Sequence, residues 1–279
     1  MSWRNAACLL LLLSGRALGG EGYVLGAGLE GDSEDGLAIS VLGEFGVAKE
    51  TWLSAAIARS TAESAVGQDL DTWFVDLGID HWWNPVGVRA GVAYWGDDNT
   101  LNSTDLRGSA YWRNQRFSIS GDYEYRDFNV VFPATDQFPG RKAGFSASGV
   151  GLSTRLEISD SVSLGLSGIY YDYDVNLQLD SNRVLLQLLS FSRLSLINSL
   201  VDYRATATLG LDAGTRRWNF DLGTWKGEVD GGNTRTATVR FLTPLNDSSD
   251  IEFALGIDDS ELYGNVTFFS VFLFFYGGS

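Results

Sequence analysis

The stretch Leu70–Trp82, LDTWFVDLGIDHW, decides the fold class of this chain. Its apolar side chains fall at every second position, namely Trp73, Val75, Leu77 and Ile79. Asp76 and Asp80 lie between them, on the opposite side of the segment. A period of two predicts a β-strand with one apolar and one polar face. Carboxylates on the polar face could not lie in a dry sandwich core without partners, so we expect that face to meet water.

The same alternation recurs through most of the sequence. The strand-like runs cover residues 22–30, 36–46, 51–60, 70–82, 86–96, 104–113, 117–127, 143–156, 161–173, 200–212, 217–227, 234–243, 250–257 and 263–276. Sheets that are apolar on one face and charged on the other, over a whole chain, are typical of transmembrane β-barrels. The predicted fold is therefore an all-β, antiparallel up-and-down barrel of about fourteen strands, with twelve or sixteen as the neighbouring even numbers.

The connections between these runs alternate between short turns and longer, acidic loops. Residues 84–85 and 114–115 are examples of the short set, and 61–69 and 128–142 of the long set. Bacterial barrels have short periplasmic turns and longer extracellular loops. With fourteen strands, both ends of the barrel fall on the short-turn side, which is the side from which a secreted chain enters the membrane.

The N-terminal residues 1–19 are predicted to be a secretory signal peptide and not part of the fold. Arg4 precedes the short apolar run Ala6–Leu13, and the small residues 17–19 form a cleavage site. The run is too short to span a bilayer as a helix. Residues 20–279 then form one outer-membrane barrel domain. Because Cys8 is the single cysteine, the processed domain would contain no disulfide and no thiol nucleophile.

Composition excludes two classes of protein. The net charge of −15 argues against nucleic acid as a partner, since phosphate binding needs a basic surface. No later apolar run reaches roughly eighteen residues, so a helical membrane protein is also excluded. The 9 Trp, 11 Tyr and 16 Phe suit a barrel, which places aromatic side chains at both membrane interfaces.

One segment departs from the strand pattern. Residues 183–201, RVLLQLLSFSRLSLINSLV, have leucines at helical spacing, which indicates an inserted amphipathic helix or loop. It either folds into the lumen as a constriction or plug, or covers the rim. The inward fold is favoured because so many leucines are poorly accommodated in water. Its polar side chains are the constriction candidates: Gln187, Arg193 and Asn198.

The sequence offers little for catalysis or metal binding. His81, the single histidine, lies at the short-turn end of its strand, whereas outer-membrane lipid-modifying enzymes need His with Ser near the outer leaflet. We interpret it as part of an aromatic girdle with Trp82 and Trp83. The acidic clusters at 32–35 and 97–99 lack calcium-loop spacing and are interpreted as solvated loop tips. We expect no catalytic residue, no metal and no cofactor.

Charges of both signs alternate with the apolar residues and are expected to line the inside of the barrel. The candidate pore-lining residues are Arg89, Arg107, Arg126, Arg204, Arg240, Asp76, Glu124 and Glu252. Eight strands enclose a lumen that side chains fill, whereas sixteen leave an aqueous channel, and fourteen is nearer the second case. Many other inner positions carry Gly, Ala or Ser. These side chains are too small to fill such a lumen, so the sequence predicts that it holds water.

The pattern resembles that of bacterial outer-membrane β-barrels, specifically small monomeric porins. The resemblance implies location in the outer membrane of a Gram-negative cell, and a monomer or small homo-oligomer. It also implies contacts with outer-membrane lipids, lipopolysaccharide, the barrel-assembly machinery and small solutes or ions. The last run is apolar on both faces, so its register is open; a bulge or an oligomer contact would explain it.

Three functions follow from this pattern. The first is a channel for passive diffusion of small hydrophilic solutes or ions. The second is a non-conducting barrel that acts in assembly, export or anchoring. The third, an outer-membrane lipid-modifying enzyme, is disfavoured by the number and position of histidines.

Overall fold

The computed structural model describes residues 22–63, 69–97, 99–132, 141–174, 200–228, 231–262 and 264–278. These residues form fourteen strands, in chain order β1 (Gly22–Asp32), β2 (Leu37–Ala48), β3 (Thr51–Glu63), β4 (Asp69–Trp83), β5 (Val86–Gly96), β6 (Leu101–Arg113), β7 (Phe117–Phe132), β8 (Arg141–Ser159), β9 (Val162–Tyr173), β10 (Val201–Ala213), β11 (Arg216–Gly227), β12 (Asn233–Asn246), β13 (Ser249–Ser260) and β14 (Gly264–Gly277). Each strand pairs antiparallel with its neighbours in sequence, and β14 pairs with β1 to close the barrel. The predicted fold and strand number are confirmed. Within the described part of the chain, no helix is long and apolar enough to cross a membrane.

The outer surface of the barrel is apolar. Large side chains such as Leu77, Leu166 and Leu255 are exposed there, while their strand neighbours point into the lumen. Contiguous exposed apolar surface of this extent needs a hydrocarbon partner. Near the short turns this surface carries aromatic rings, including Trp83, Trp112 and Trp218. This band has the composition of the aromatic girdle that barrels place at a membrane interface.

Several strands are longer than the alternation predicts, β7 and β8 by the most. The sequence places residues 128–142 in a loop, but β7 continues to Phe132 and β8 begins at Arg141. The extension keeps the two-residue period, which turns Phe128 and Val130 toward the lumen, where both are buried. Burial of these side chains is the reason why the strands continue beyond the expected ends.

The last strand has an unbroken register. It pairs with β1 from Phe268↔Asp32 to Gly277↔Tyr23, and with β13 from Gly264↔Ser260 to Phe275↔Ser249, without a shift. A bulge, which is one of the two explanations for the apolar faces of this strand, does not occur in it. Register shifts occur elsewhere, for example beside the β8–β9 turn, between Glu157 and Ser159. The two apolar faces of β14 therefore belong to a regular strand, one turned toward lipid and the other toward the lumen.

Two predicted segments lie outside the described residues: the signal peptide at 1–19 and most of the inserted segment at 183–201. Of the latter, only Leu200 and Val201 are described. Val201 begins β10 and Leu200 is not helical, so the strand starts within the predicted segment.

Candidate functional site: the barrel lumen

All eight predicted pore-lining residues occupy inner-face positions of their strands. Side chains alternate between the two faces of a strand, and register partners on neighbouring strands share a face. A cavity of about 890 Å³ occupies the half of the lumen nearer the short turns and reaches its middle. We call the half of the lumen near the short turns the short-turn half, and the half near the long loops the long-loop half. Four of the eight residues line the cavity: Asp76, Arg89, Arg107 and Glu124.

Ion pairs cover the cavity wall formed by β4 to β6. Asp80 and Arg89 are register partners on adjacent strands and form a salt bridge. The Tyr111 hydroxyl donates a second hydrogen bond to Asp80 at 2.6 Å. Arg107 reaches across β5 to pair with Asp76. It passes over Gly91, where a Cβ atom would lie 3.4 Å from the guanidinium, so the missing side chain leaves room for the bridge.

The cavity contains more acid than these pairs neutralise. Six carboxylates line it against three arginines. Among the described residues, neither Glu44 nor Glu50 forms an ion pair. Asp122 accepts hydrogen bonds from the hydroxyls of Ser120 and Ser153, at 3.3 and 3.1 Å, which leave its charge in place. The short-turn half therefore has a negative field.

A buried polar network lies above the cavity, in the long-loop half. Arg126 pairs with Glu124 at 3.0 Å and lies 3.8 Å from Asp105. Its guanidinium donates to the Tyr171 hydroxyl at 2.9 Å, and this hydroxyl donates to Glu124 at 2.7 Å. The indole of Trp95 donates to Asp105 at 2.8 Å. Asp105 is 3% and Arg126 8% exposed, so these charges meet one another and not solvent.

Aromatic side chains pack against this network. Phe128 is fully buried, stacks on Phe145 at 4.7 Å between ring centroids, and meets Trp95 edge-on at 5.9 Å. Leu200 and Val201 are buried in the same cluster. The expectation that inner-face side chains are too small to fill the lumen is wrong here, on the β5–β10 side. The missed signal was the aromatic residues at inner positions near the long loops.

The remaining predicted residues lie on other parts of the wall. Arg240 donates to Asp221 at 2.8 Å, and the Thr208 hydroxyl donates to the same carboxylate at 2.6 Å. Arg204 of β10 is the register partner of Ile169 on β9 and of Trp225 on β11. Glu252 of β13 is the register partner of Phe272 on β14. The ion pairs named here each join residues on one strand or on strands no more than two apart. They run along the wall and, within the described ranges, do not cross the lumen.

A flat aromatic surface covers the inner face where β14 meets β1. The ring of Phe272 lies across Gly28, where a Cβ atom would be 2.2 Å from it. Phe274 lies beside Gly26, whose other neighbour is Leu42, and the two phenylalanine rings stack at 6.0 Å and 15°. Rings that lie over glycines rest against the wall instead of projecting across the lumen. We call Phe272, Phe274 and Leu42 the phenylalanine wall.

The other predicted features are partly corrected. Gln187, Arg193 and Asn198 lie outside the described residues. His81 is on the outer face, 2.6 Å from the Thr51 hydroxyl and edge-on to Trp83 at 4.2 Å. Trp82 does not join them in a girdle: adjacent strand residues face opposite sides, so it points into the lumen beneath Arg113, at 4.1 Å. No cluster of three or more His, Cys, Asp or Glu suited to a metal occurs among the residues that the structure describes.

A closed antiparallel barrel with an apolar outer face and a charged inner face has the fold of outer-membrane porins and channels. Solved structures agree. A Pseudomonas aeruginosa FadL homologue matches with a TM-score of 0.54 at 8% identity, over 91% of this chain and 89% of its own. The CymD monoaromatic hydrocarbon channel gives 0.53 at 8% identity, over 93% and 88%. The Vibrio cholerae outer-membrane protein OmpT, without loop L8, gives 0.50 at 9% identity, over 92% and 100%.

At such low identity the likeness establishes the fold alone. No protein-family model matches the chain, and no curated protein sequence matches it.

Proposed function

We propose that this chain is an outer-membrane channel through which small hydrophilic solutes or ions diffuse. The observation that carries the proposal is the cavity in the short-turn half, which is lined by charged side chains whose ion pairs join neighbouring strands. Charged side chains on a barrel interior stabilise water and solutes inside it. The four predicted residues that line the cavity, Asp76, Arg89, Arg107 and Glu124, would set the field along the path. The free acids of the cavity would favour cations.

The short turns would face the periplasm and the long loops the outside, as is usual for this fold. The apolar outer face would contact outer-membrane lipids, and the rim lipopolysaccharide. A barrel of this kind needs the assembly machinery to insert it. The exposed apolar belt and the aromatic band near the short turns support a position in a membrane.

Planar-bilayer recording of the purified barrel tests the channel. We expect stepwise potassium currents that grow with salt concentration. A folded barrel that inserts into the bilayer and produces no steps would contradict the proposal.

The second candidate is a non-conducting barrel that acts in assembly, export or anchoring. The packed aromatic cluster in the long-loop half favours it, because fully buried Leu101 and Phe128 leave no water on that side of the lumen. The same recording separates the two candidates. If current is absent, Phe128→Ala distinguishes a cluster that blocks the path from a barrel that lacks one, since only the first gains conductance.

The membrane placement has its own test, a pair of adjacent residues on β9. Leu166 is exposed on the outer face, and Ser167 is exposed on the inner face. An arginine at the bilayer midplane costs about 2–4 kcal/mol on the lipid face and much less in a lumen. Leu166→Arg should therefore impair insertion into vesicles, measured by heat-modifiable gel mobility, and Ser167→Arg should not. Equal insertion of the two variants would contradict the membrane placement.

A further inference from the structure

The inner face has an apolar side as well as a charged one. The phenylalanine wall lies where β14, β1 and β2 meet, and the ion pairs of Arg89 and Arg107 lie on β4 to β6. Phe272 and Phe274 are half-buried, so part of each ring is open to the lumen. Exposed phenylalanine does not help hydrophilic solutes to diffuse through water. The proposed channel function therefore does not explain this surface.

Unpaired acid lies next to the apolar surface. Glu44 follows Leu42 at the next inner-face position of β2, and its register partner is Val24 of β1. Val24, Glu44 and Trp52 all line the cavity. The phenylalanine wall therefore adjoins the part of the cavity where carboxylates outnumber arginines.

We propose that the lumen binds organic cations that have an apolar body, and that it passes them in preference to equally charged hydrophilic ions. This inference rests on the proposed channel function. The cationic end would lie by Glu44 and the other free carboxylates, and the apolar body against the two stacked rings. The face of an aromatic ring attracts cations, and contact with it also removes the apolar surface of the solute from water. One surface can therefore bind both the charged end and the apolar body of such a solute. An anion of the same shape meets the apolar surface but is repelled by the acids.

The test compares two quaternary ammonium ions as blockers of the potassium current. Benzyltrimethylammonium has an apolar ring, and tetramethylammonium carries the same charge without one. We expect the first to reach half-block at a concentration about tenfold lower, since contact of its ring with another aromatic ring changes an equilibrium by roughly that factor. Benzenesulfonate, which has the ring with a negative charge, should leave the current unchanged at the same concentrations.

Variants of the wall assign the effect. In the double variant Phe272→Ser with Phe274→Ser, the two ammonium ions should block alike while the potassium current persists. The double leucine variant keeps an apolar surface and guards against misfolding of the serine variant; it should retain most of the difference. Glu44→Gln should weaken block by both ammonium ions to the same degree.

The outcomes separate the two proposals. Potassium currents with equal block by the two ammonium ions in the parent barrel would overturn this inference and leave the channel standing. A tenfold difference that survives in both double variants would also overturn it, because the ring would then bind elsewhere. Absence of any potassium current would overturn the channel proposal, and this inference with it.

Discussion

The two halves of the lumen use the same residue types in opposite ways. In the short-turn half, the Arg89 and Asp80 side chains are 58% and 28% exposed, and their pair borders a cavity. In the long-loop half, Arg126 and Glu124 are 10% and 12% exposed and share their charges with Tyr171 and Asp105. One arginine pair meets the path that a solute would take, and the other is enclosed by aromatic side chains.

This difference shows that an inner-face charge is not by itself a pore-lining charge. A half-exposed pair gains little from its own attraction and keeps a hydrated surface that a passing ion can use. A buried pair holds the wall together, because either partner alone would be an uncompensated charge away from water. We therefore expect stability to depend on the long-loop half and ion preference on the short-turn half.

The largest effect expected from this comparison is on the free energy of unfolding. Arg126→Leu would leave the buried Asp105 and the mostly buried Glu124 without their cation, and should cost about 3–5 kcal/mol. Arg89→Leu removes an exposed partner and should cost less than about 1 kcal/mol. Urea titration of the barrel folded in lipid vesicles, followed by tryptophan fluorescence, measures both. An equal loss of unfolding free energy in the two variants would contradict the distinction between a buried pair in the long-loop half and an exposed pair in the short-turn half.

Much of this fold could be predicted from the sequence. The two-residue period gave fourteen strands and assigned the eight candidate residues to the inner face, because side-chain direction in a strand depends on local position alone. Applied consistently, the same rule also places Trp82 inside, since it is an even number of residues from Asp76 and Asp80. The error there came from treating neighbouring aromatic residues as one group.

Burial along the lumen could not be predicted in the same way. Arg126 is buried because Tyr171, 45 residues later in the chain, lies over it. Such contacts depend on which strands become neighbours and at what register, and the local pattern does not contain that information. The role of the glycines in β1 and β8 also depends on which strands become neighbours. Gly28 and Gly149 each make room for an aromatic ring from the next strand.

These glycines give a prediction of intermediate size. A Cβ atom at Gly149 would lie 2.6 Å from the ring of Tyr171, which Arg126 and Glu124 hold in place. Gly149→Ala should therefore destabilise the barrel by about 1–3 kcal/mol, the usual cost of overpacking. At Gly28 the neighbouring ring of Phe272 is half-buried and can swing into the lumen, so Gly28→Ala should cost less.

Gly121 is the matched control for both substitutions. It lies on the outer face of β7, and a Cβ atom there would have no neighbour within 4 Å. Gly121→Ala should be neutral or stabilise by about 0.4–1 kcal/mol through the unfolded chain. The same urea titration ranks the three variants. A loss at Gly28 as large as that at Gly149 would show that the ring of Phe272 is held as rigidly as the ring of Tyr171.

The smallest expected effect concerns ion selectivity, and it asks which acids act on a passing ion. The cavity variant combines Glu44→Gln, Glu50→Gln and Asp122→Asn. The loop variant combines Glu34→Gln, Asp35→Asn and Asp259→Asn, at exposed positions near the long loops. Charges at an open mouth act through water, where screening shortens their reach from about 30 Å at 0.01 M salt to about 10 Å at 0.1 M. Charges on a cavity wall act at shorter range, and the surrounding protein strengthens their field.

Both variants should therefore lower the cation preference at about 0.01 M salt, but only the cavity variant should do so at about 0.1 M. We expect a change of roughly two- to threefold in the potassium-to-chloride permeability ratio, which corresponds to losing about one kT of a surface potential of several kT. Reversal potentials across a salt gradient give the ratio directly. If the loop variant has the larger effect at the higher salt concentration, selectivity is set at the mouth and not in the cavity. If neither variant changes the ratio, the free carboxylates of the short-turn half do not meet the permeating ions. The expectation that this half sets ion preference would then be wrong, while the expectation that the long-loop half sets stability would be unaffected.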